Sequence, residues 1–173
     1  MGCGEHPMRA GLALGSNLGD RLANLRRGRA AVRGFAHAPE LASRVYETDP
    51  VGTNADAGAF LNAVIEVEYD GQALALLDAL QGIEADLGRP SKRPRNAPRT
   101  LDLDILYLGN LVLANHEVVI PHPRLHQRRF VLAPLADIRP ELVLPGQERS
   151  IGELLATLSD PGSVTLFTDT WEP

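Results

Sequence analysis

The sequence holds one cysteine, Cys3, so it forms no internal disulfide framework and no multi-cysteine zinc site. It holds one lysine, Lys92, against sixteen arginines. Aromatic residues make up 5% of the chain, too few for the stacking platforms of a sheet that reads single-stranded RNA. No apolar run approaches the roughly 20 residues of a membrane helix. The opening MGCGEHPMRA has no apolar core of a secretory signal, and His6 stands where a myristoylation signal wants Ser or Thr. The expected location is therefore cytoplasmic. GxxxxGK[ST] and GxGxxG are both absent, which argues against a P-loop nucleotidase and a dinucleotide-binding fold. HEVVIPH is not a zinc-protease motif, because His116 and His122 stand six apart. There is no Ser/His/Asp or Cys/His set, no fixed-period repeat and no low-complexity tract.

What is present is an ordinary globular composition in 173 residues, 44% hydrophobic and 23% charged, with one domain expected. Residues 1–8 read as an N-terminal extension and 9–173 as a single domain. The net charge of −5 hides an asymmetry. Eight cations fall in two windows without acids: Arg89, Lys92, Arg93, Arg95 and Arg99 in one, Arg124, Arg128 and Arg129 in the other. Elsewhere nine cations face 22 acids. An acidic body with two cationic segments favours a local anionic ligand over a general nucleic-acid surface, although charge runs are commonly just solvated loops.

Hydrophobic spacing predicts strands at 9–15, 41–48, 60–69 and 101–108 and helices at 18–32 and 72–87, stopped by Gly34 and Gly88. Residues 49–58 and 88–99 read as loops. Gly109-Asn110 suggests a hairpin into LVL, 117–121 is extended, 130–138 is helical and 151–158 is a weak final helix. The first six elements run β-α-β-β-α-β, the order of a ferredoxin-like split unit. The expected class is α+β: a ferredoxin-like core with an additional hairpin and C-terminal helices, in three α/β/α layers.

Asp102 and Asp104 are the sharpest chemical feature. Residues i and i+2 of a strand share a face. Leu101, Leu103 and Ile105 would then point to the core while the two carboxylates point out together, about 6.6 Å apart along the strand. That spacing suits two divalent ions about 3.5–4 Å apart, and Mg2+ accepts one or two carboxylates with water and phosphate as its other ligands. On pattern alone, a strand with a wet face is the commoner meaning of DxD. The Arg-rich loop just before the strand changes the balance, because guanidinium forks and divalent ions are what a polyphosphate requires. His122, Arg124, His126 and Arg128 could complete a phosphate grip. GSNLGD, at 15–20, reads equally as an anion-binding turn or as a plain turn with a helix cap.

These segments together resemble the 6-hydroxymethyl-7,8-dihydropterin pyrophosphokinase family of folate biosynthesis. APRTLDLDILYLG (97–109) carries the resemblance, with ALGSNLGD (13–20), YETDPVG (46–52), FLNAV (60–64) and IPHPRLHQRRFVLAPL (120–135) in the same order. It spans about residues 9–145. It implies transfer of the β- and γ-phosphates of ATP, as one pyrophosphoryl group, to the pterin hydroxymethyl oxygen. It implies two Mg2+ ions on Asp102 and Asp104, with Arg89 and Arg99 as catalytic loop cations. Gln81, Glu84, Ile105, His122 and Arg128 match ATP-binding positions. Thr48, Asp49, Val51, Phe60, Asn62 and Phe130 match the pterin pocket, in which two Phe rings would sandwich a flat heterocycle. The departures are Asn96 where some members have Trp, Pro123 where some have Tyr, and Ser91 where some have Arg. The partners implied are ATP and the pterin, with neither nucleic acid nor membrane, and no segment specifies an oligomeric state. Two rivals are a DxD glycosyltransferase, which needs a larger nucleotide-binding domain, and a ferredoxin-like RNA-binding module, which needs a basic, aromatic sheet face.

Overall fold

The computed structural model describes residues 6–49, 58–88 and 98–172. Arg89, Val51 and the variable positions Ser91 and Asn96 lie outside these residues. Alternating apolar positions build β1 (Met8–Ser16), β4 (Phe60–Tyr69) and β5 (Asp102–Leu108). β4 buries Leu61, Ala63, Ile65 and Val67 on one face. Between them, α1 (Arg21–Arg33) starts at Asp20, whose side chain accepts from the Ala23 N–H at 3.0 Å, and stops at Gly34. Leu18, expected in this helix, lies before it and is exposed. α2 (Ala73–Asp86) ends just before Leu87 and Gly88, and Gly88 has a φ of +93°, open to glycine at little cost.

The strand expected over 41–48 is two strands, β2 (His37–Ala42) and β3 (Val45–Thr48). Ser43 interrupts it. Its Oγ accepts from the Val64 N–H at 2.9 Å and donates to the Arg44 carbonyl at 2.7 Å, so a side chain takes a place in the ladder. The expected hairpin at Gly109-Asn110 does not form with β5. The chain turns there, with Gly109 at φ +51°, and β6 (Leu113–Ala114) pairs instead with β7 (Val119–Ile120). After a turn of 3-10 helix at Leu125–Gln127 come α3 (Arg129–Ile138), α4 (Ile151–Thr157) and a strand that the sequence pattern did not reveal, β8 (Val164–Thr168).

The main sheet runs β5-β1-β4-β3-β8, with β2 also on β4, and these pairings are antiparallel. α1 and α2 cover one face, with Leu25, Val32, Leu76 and Leu80 against Leu12, Leu14, Ile65 and Ile105. α3 and α4 cover the other, with Val131, Leu132, Leu135 and Ile151 against Val64, Leu106 and Tyr107. The chain is thus α+β, with helices on both sides of an antiparallel sheet.

α1 is also tied to β2 by charge. Arg29 forks onto the Glu40 carboxylate through Nε and Nη2, each at 3.1 Å, and Arg33 Nη2 reaches it at 2.6 Å. Burial pushes the Glu40 carboxyl up, but the two guanidinium forks outweigh it and hold the pKa below the usual value. A depressed folded-state pKa adds stability that is complete above the ordinary glutamate value of about 4.3 and is lost as pH falls through the folded value. Glu40→Gln should therefore lower the melting temperature near neutral pH, and the gap to the parent should narrow as pH falls below the ordinary glutamate range. Calorimetry across that range checks this; a gap that persists unchanged in acid contradicts it.

Candidate active site

Among the described residues β5 is an edge strand of the main sheet, and its register against β1 fixes where its side chains go. Asp102 lies opposite Gly15, Leu103 opposite Leu14, Asp104 opposite Ala13 and Ile105 opposite Leu12. Leu103 and Ile105 join the core under α1 and α2. Strand alternation sends both aspartates to the opposite face. The outward N–H of Leu103 donates to Glu84 Oε1 of α2 at 2.7 Å, so the edge is held by a buried carboxylate. Ile105, two residues on, turns its backbone to the same edge. Its side chain, matched to an ATP-binding position, sits in the core and not in the cleft.

A cleft of about 830 Å³ opens over the acids. One wall is the α2 face at Leu77, Gln81, Glu84 and Ala85. Asp102, Leu103 and Asp104 form the floor, and Arg99 and the segment carrying His122 and Arg128 bring nitrogen donors from two parts of the chain. Arg99 Nη1 lies 2.6 Å from Asp102 Oδ2. The Arg99 backbone is pinned on both sides by Asn17: its N–H donates to Asn17 Oδ1 at 2.6 Å, and its carbonyl accepts the Asn17 N–H at 3.1 Å. Asn17 is a site residue that the sequence reading missed; its only signal was membership of GSNLGD. The rest of that turn is occupied internally. Asp20 caps α1, and Asn24 Nδ2 donates to Ser16 Oγ at 3.2 Å and to the Leu18 carbonyl at 2.9 Å.

His122 follows β7, and its N–H donates to the Leu106 carbonyl at 2.8 Å. Its Nδ1 accepts the Arg124 N–H at 3.2 Å, which leaves the proton of the neutral ring on Nε2. Burial lowers its pKa, Arg128 and Arg124 lower it further, and Asp102 opposes them. Burial and then Arg124 also lower Arg128, against the pull of Asp104 and Asp102. The Arg128 guanidinium lies 5.5 Å from the centre of the Phe130 ring.

The same sheet face continues away from the acids. Asp102, Gly15, Asn62 and Tyr46 form one row across four strands, and Thr48 lies opposite Phe60. Two strand spacings, about 9.6 Å, separate Asp102 from Asn62. Gly15 keeps the floor low between them, since a Cβ there would stand 3.1 Å from Asn62 Oδ1 and 3.7 Å from the Phe60 ring. Asn62 Nδ2 donates to Thr48 Oγ1 at 2.6 Å. Asp49 follows Thr48, and its carboxylate accepts from Ser163 Oγ. The structure thus gathers Gln81, Glu84, Arg99, Asp102, Asp104, His122 and Arg128 around one cleft, with Thr48, Phe60 and Asn62 on the adjoining face.

Among the described residues there is no cluster of three or more His, Cys, Asp or Glu that would hold a metal by itself. A two-carboxylate floor beside Arg99, His122 and Arg128 fits a hard cation that takes its remaining ligands from water and phosphate oxygens, as Mg2+ does.

The family model described as 7,8-dihydro-6-hydroxymethylpterin-pyrophosphokinase matches residues 11–140. The chain is 43% identical over 128 residues to the 2-amino-4-hydroxy-6-hydroxymethyldihydropteridine pyrophosphokinase of Bacillus subtilis, covering 73% of this chain and 75% of that protein. It is 42% identical over 149 residues to the Pseudomonas aeruginosa protein of that name, covering 84% and 88%, and 38% identical over 156 residues to the Haemophilus influenzae one, covering 90% and 96%. Among solved structures, the wild-type Plasmodium falciparum HPPK-DHPS with pterin and p-hydroxybenzoate superposes with a TM-score of 0.69 at 16% identity, over 87% of this chain and 42% of that one. That likeness shows a shared fold, and the chain spans under half the length of that protein. Set beside the cleft and its paired aspartates, the match over residues 11–140 shows that the chain belongs to the 7,8-dihydro-6-hydroxymethylpterin-pyrophosphokinase family.

Proposed function

We propose that the cleft binds ATP with two Mg2+ ions on Asp102 and Asp104, and that the adjoining sheet face binds 6-hydroxymethyl-7,8-dihydropterin. The enzyme transfers the β- and γ-phosphates as one pyrophosphoryl group to the hydroxymethyl oxygen and releases AMP. The observation that carries this reading is the pair of carboxylates on one strand face, at the floor of a cleft that also presents Arg99, His122 and Arg128.

When bound, the divalent ions neutralise polyphosphate charge and make the β-phosphorus more electrophilic. The protein contributes position and further charge. Asp102 and Asp104 would hold the cations, and Arg99, whose Nη1 lies 2.6 Å from Asp102 Oδ2, would fork onto phosphate oxygens beside them. Neutral His122 donates from Nε2 to a phosphate oxygen, and Arg128 adds a full charge beside it. The backbone of Ile105 on the edge strand β5 offers main-chain hydrogen bonds to the nucleotide, while its side chain holds the strand down. At the pterin end, Asn62 keeps Oδ1 and its second N–H for an amide-like ring edge once Thr48 has taken the first. Phe60 and Phe130 supply flat apolar surface, and Asp49 lies at the rim. Arg89 and Val51 complete this reading as loop cation and pocket wall, from the resemblance alone.

The strand order β5-β1-β4-β3 with crossing helices α1 and α2 supports a ferredoxin-like core, to which β8 and the C-terminal helices are added. Residues 9–173 then act as one catalytic domain. The acidic body favours small anionic substrates over nucleic acid. No helix of the described residues is long and apolar enough to cross a membrane; a cytoplasmic location and the absence of a membrane partner are part of this proposal.

Mixing the protein with ATP, Mg2+ and hydroxymethyl-dihydropterin should yield AMP and the pterin diphosphate in equal amounts by mass spectrometry. ADP in place of AMP would overturn the site of cleavage, and no pterin-dependent product would overturn the reading.

A further inference from the structure

Residues 158–163 lie beyond the region matched by the family model, yet they touch both sides of the pterin face. On one side is the start of α3. No side chain of Arg128 caps that helix. Its first N–H, from Arg129, donates instead to Asp160 Oδ2 at 3.0 Å, and Arg129 Nη2 donates to the Leu158 carbonyl at 2.8 Å. Arg129 stands between Arg128 and Phe130, so this anchor holds the turn that carries both. A carboxylate there also meets the positive end of the helix dipole. Asp160 Oδ1 accepts the Gly162 N–H at 2.9 Å, which bends the chain toward β3. Hydrogen bonds from Gly162 and then Arg129 hold the Asp160 carboxyl below the usual aspartate range, so it is ionised at neutral pH.

On the other side, Ser163 Oγ donates to Asp49 Oδ2. From the next residue β8 pairs along all of β3, with Val164 opposite Thr48 and Thr168 opposite Val45. The far end is locked: Trp171 is 3% exposed, and its Nε1 donates to the Ser43 carbonyl at 2.6 Å. Polar contacts therefore run from the start of α3 through Asp160 and Ser163 to Asp49, with Thr48 and Asn62 beside it.

We propose that residues 158–163 form a clasp that sets the spacing between α3 and the end of β3, with Asp160 and Ser163 as positioning residues for pterin binding. This rests on the reading that Asp49, Thr48 and Phe130 border the pterin. The nucleotide cleft is built by α2, β5, Arg99 and the segment at 122–128, which the clasp reaches only at the turn of Arg128, so the clasp acts mainly on the pterin side.

The test is titration calorimetry of hydroxymethyl-dihydropterin and of a non-hydrolysable ATP analogue, with steady-state kinetics, on the parent, Ser163→Ala, Ser163→Thr, Asp160→Asn and Asp49→Ala. Loss of one such hydrogen bond should weaken pterin binding about fivefold in Ser163→Ala and Asp160→Asn. Nucleotide affinity and kcat at saturating pterin should stay within about twofold, and Ser163→Thr, which keeps the hydroxyl, should restore the affinity. Equal weakening of both substrates, or unchanged pterin affinity in both Ser163→Ala and Asp160→Asn, overturns the clasp. If Asp49→Ala weakens pterin binding while those two do not, the pocket reading stands and the clasp alone falls. If Asp49→Ala leaves pterin binding unchanged, the pocket reading falls and takes the clasp with it.

Discussion

Asp104→Ala should lower turnover by about a thousandfold or more at saturating Mg2+ while leaving the protein folded, because a metal-held charge in phosphoryl transfer is worth several kcal/mol. Asp104 is half-buried on the site face of β5. Its backbone is paired with Ala13 whatever its side chain, and the apolar residues on either side, Leu103 and Ile105, stay in the core. A melting temperature within a few degrees of the parent, together with loss of AMP production, is the expected result. Near-normal turnover would refute the metal assignment. Asp102→Ala should damage activity as well, but less cleanly, because it also strands the Arg99 guanidinium that Asp102 holds at 2.6 Å.

The second large effect concerns stability. Two rows below the Asp102 row, Tyr107, Gly11 and Glu66 lie side by side on the same sheet face. Glu66 is 4% exposed, and Arg139 at the end of α3 forks onto it, with Nε at 3.0 Å and Nη2 at 2.5 Å. The Tyr107 hydroxyl donates to its other oxygen. Burial first, and then Glu66, push the Tyr107 hydroxyl far above its ordinary pKa, so it remains a donor. Gly11 makes the close approach possible: a Cβ there would fall 2.2 Å from the Tyr107 ring. Arg139→Met leaves a buried carboxylate without its main partner. The expected loss is about 3 kcal/mol, or a fall of about 8 °C in melting temperature for a chain of this size. Adding Glu66→Gln should recover much of it, because the pair then leaves together. Urea melts of both variants decide the matter; a single substitution costing less than about 0.5 kcal/mol would show that the pair is dispensable.

The site was legible wherever its signal was local. The period of two in LDLDILYL gives one apolar and one acidic face before any partner strand is known, and β5 has that division. Asp20 caps a helix three residues away from the N–H it accepts, so GSNLGD carried its own meaning. The strand at 41–48 was misjudged because the break at Ser43 depends on Val64, which is distant in sequence. β8 went unseen because its alternation is weak and its outer residues Leu166 and Phe167 are exposed, so neither face resembles a core strand. Ile105 was matched to the nucleotide through the family resemblance, and its side chain goes into the core, because strand alternation puts it on the face opposite the two acids.

By itself the sequence determined the alternation that separates acids from core, the first two helices with the Asp20 cap of α1, and the family to which the motif belongs, because each of these signals lies within a few neighbouring positions. Only the tertiary structure decided that Asn17 grips the backbone of Arg99, that Arg139 closes over Glu66, and that Asp160 caps α3 while Ser163 reaches Asp49. Those contacts join residues 31 to 114 positions apart. Their existence depends on strand register and helix packing, which no local periodicity encodes.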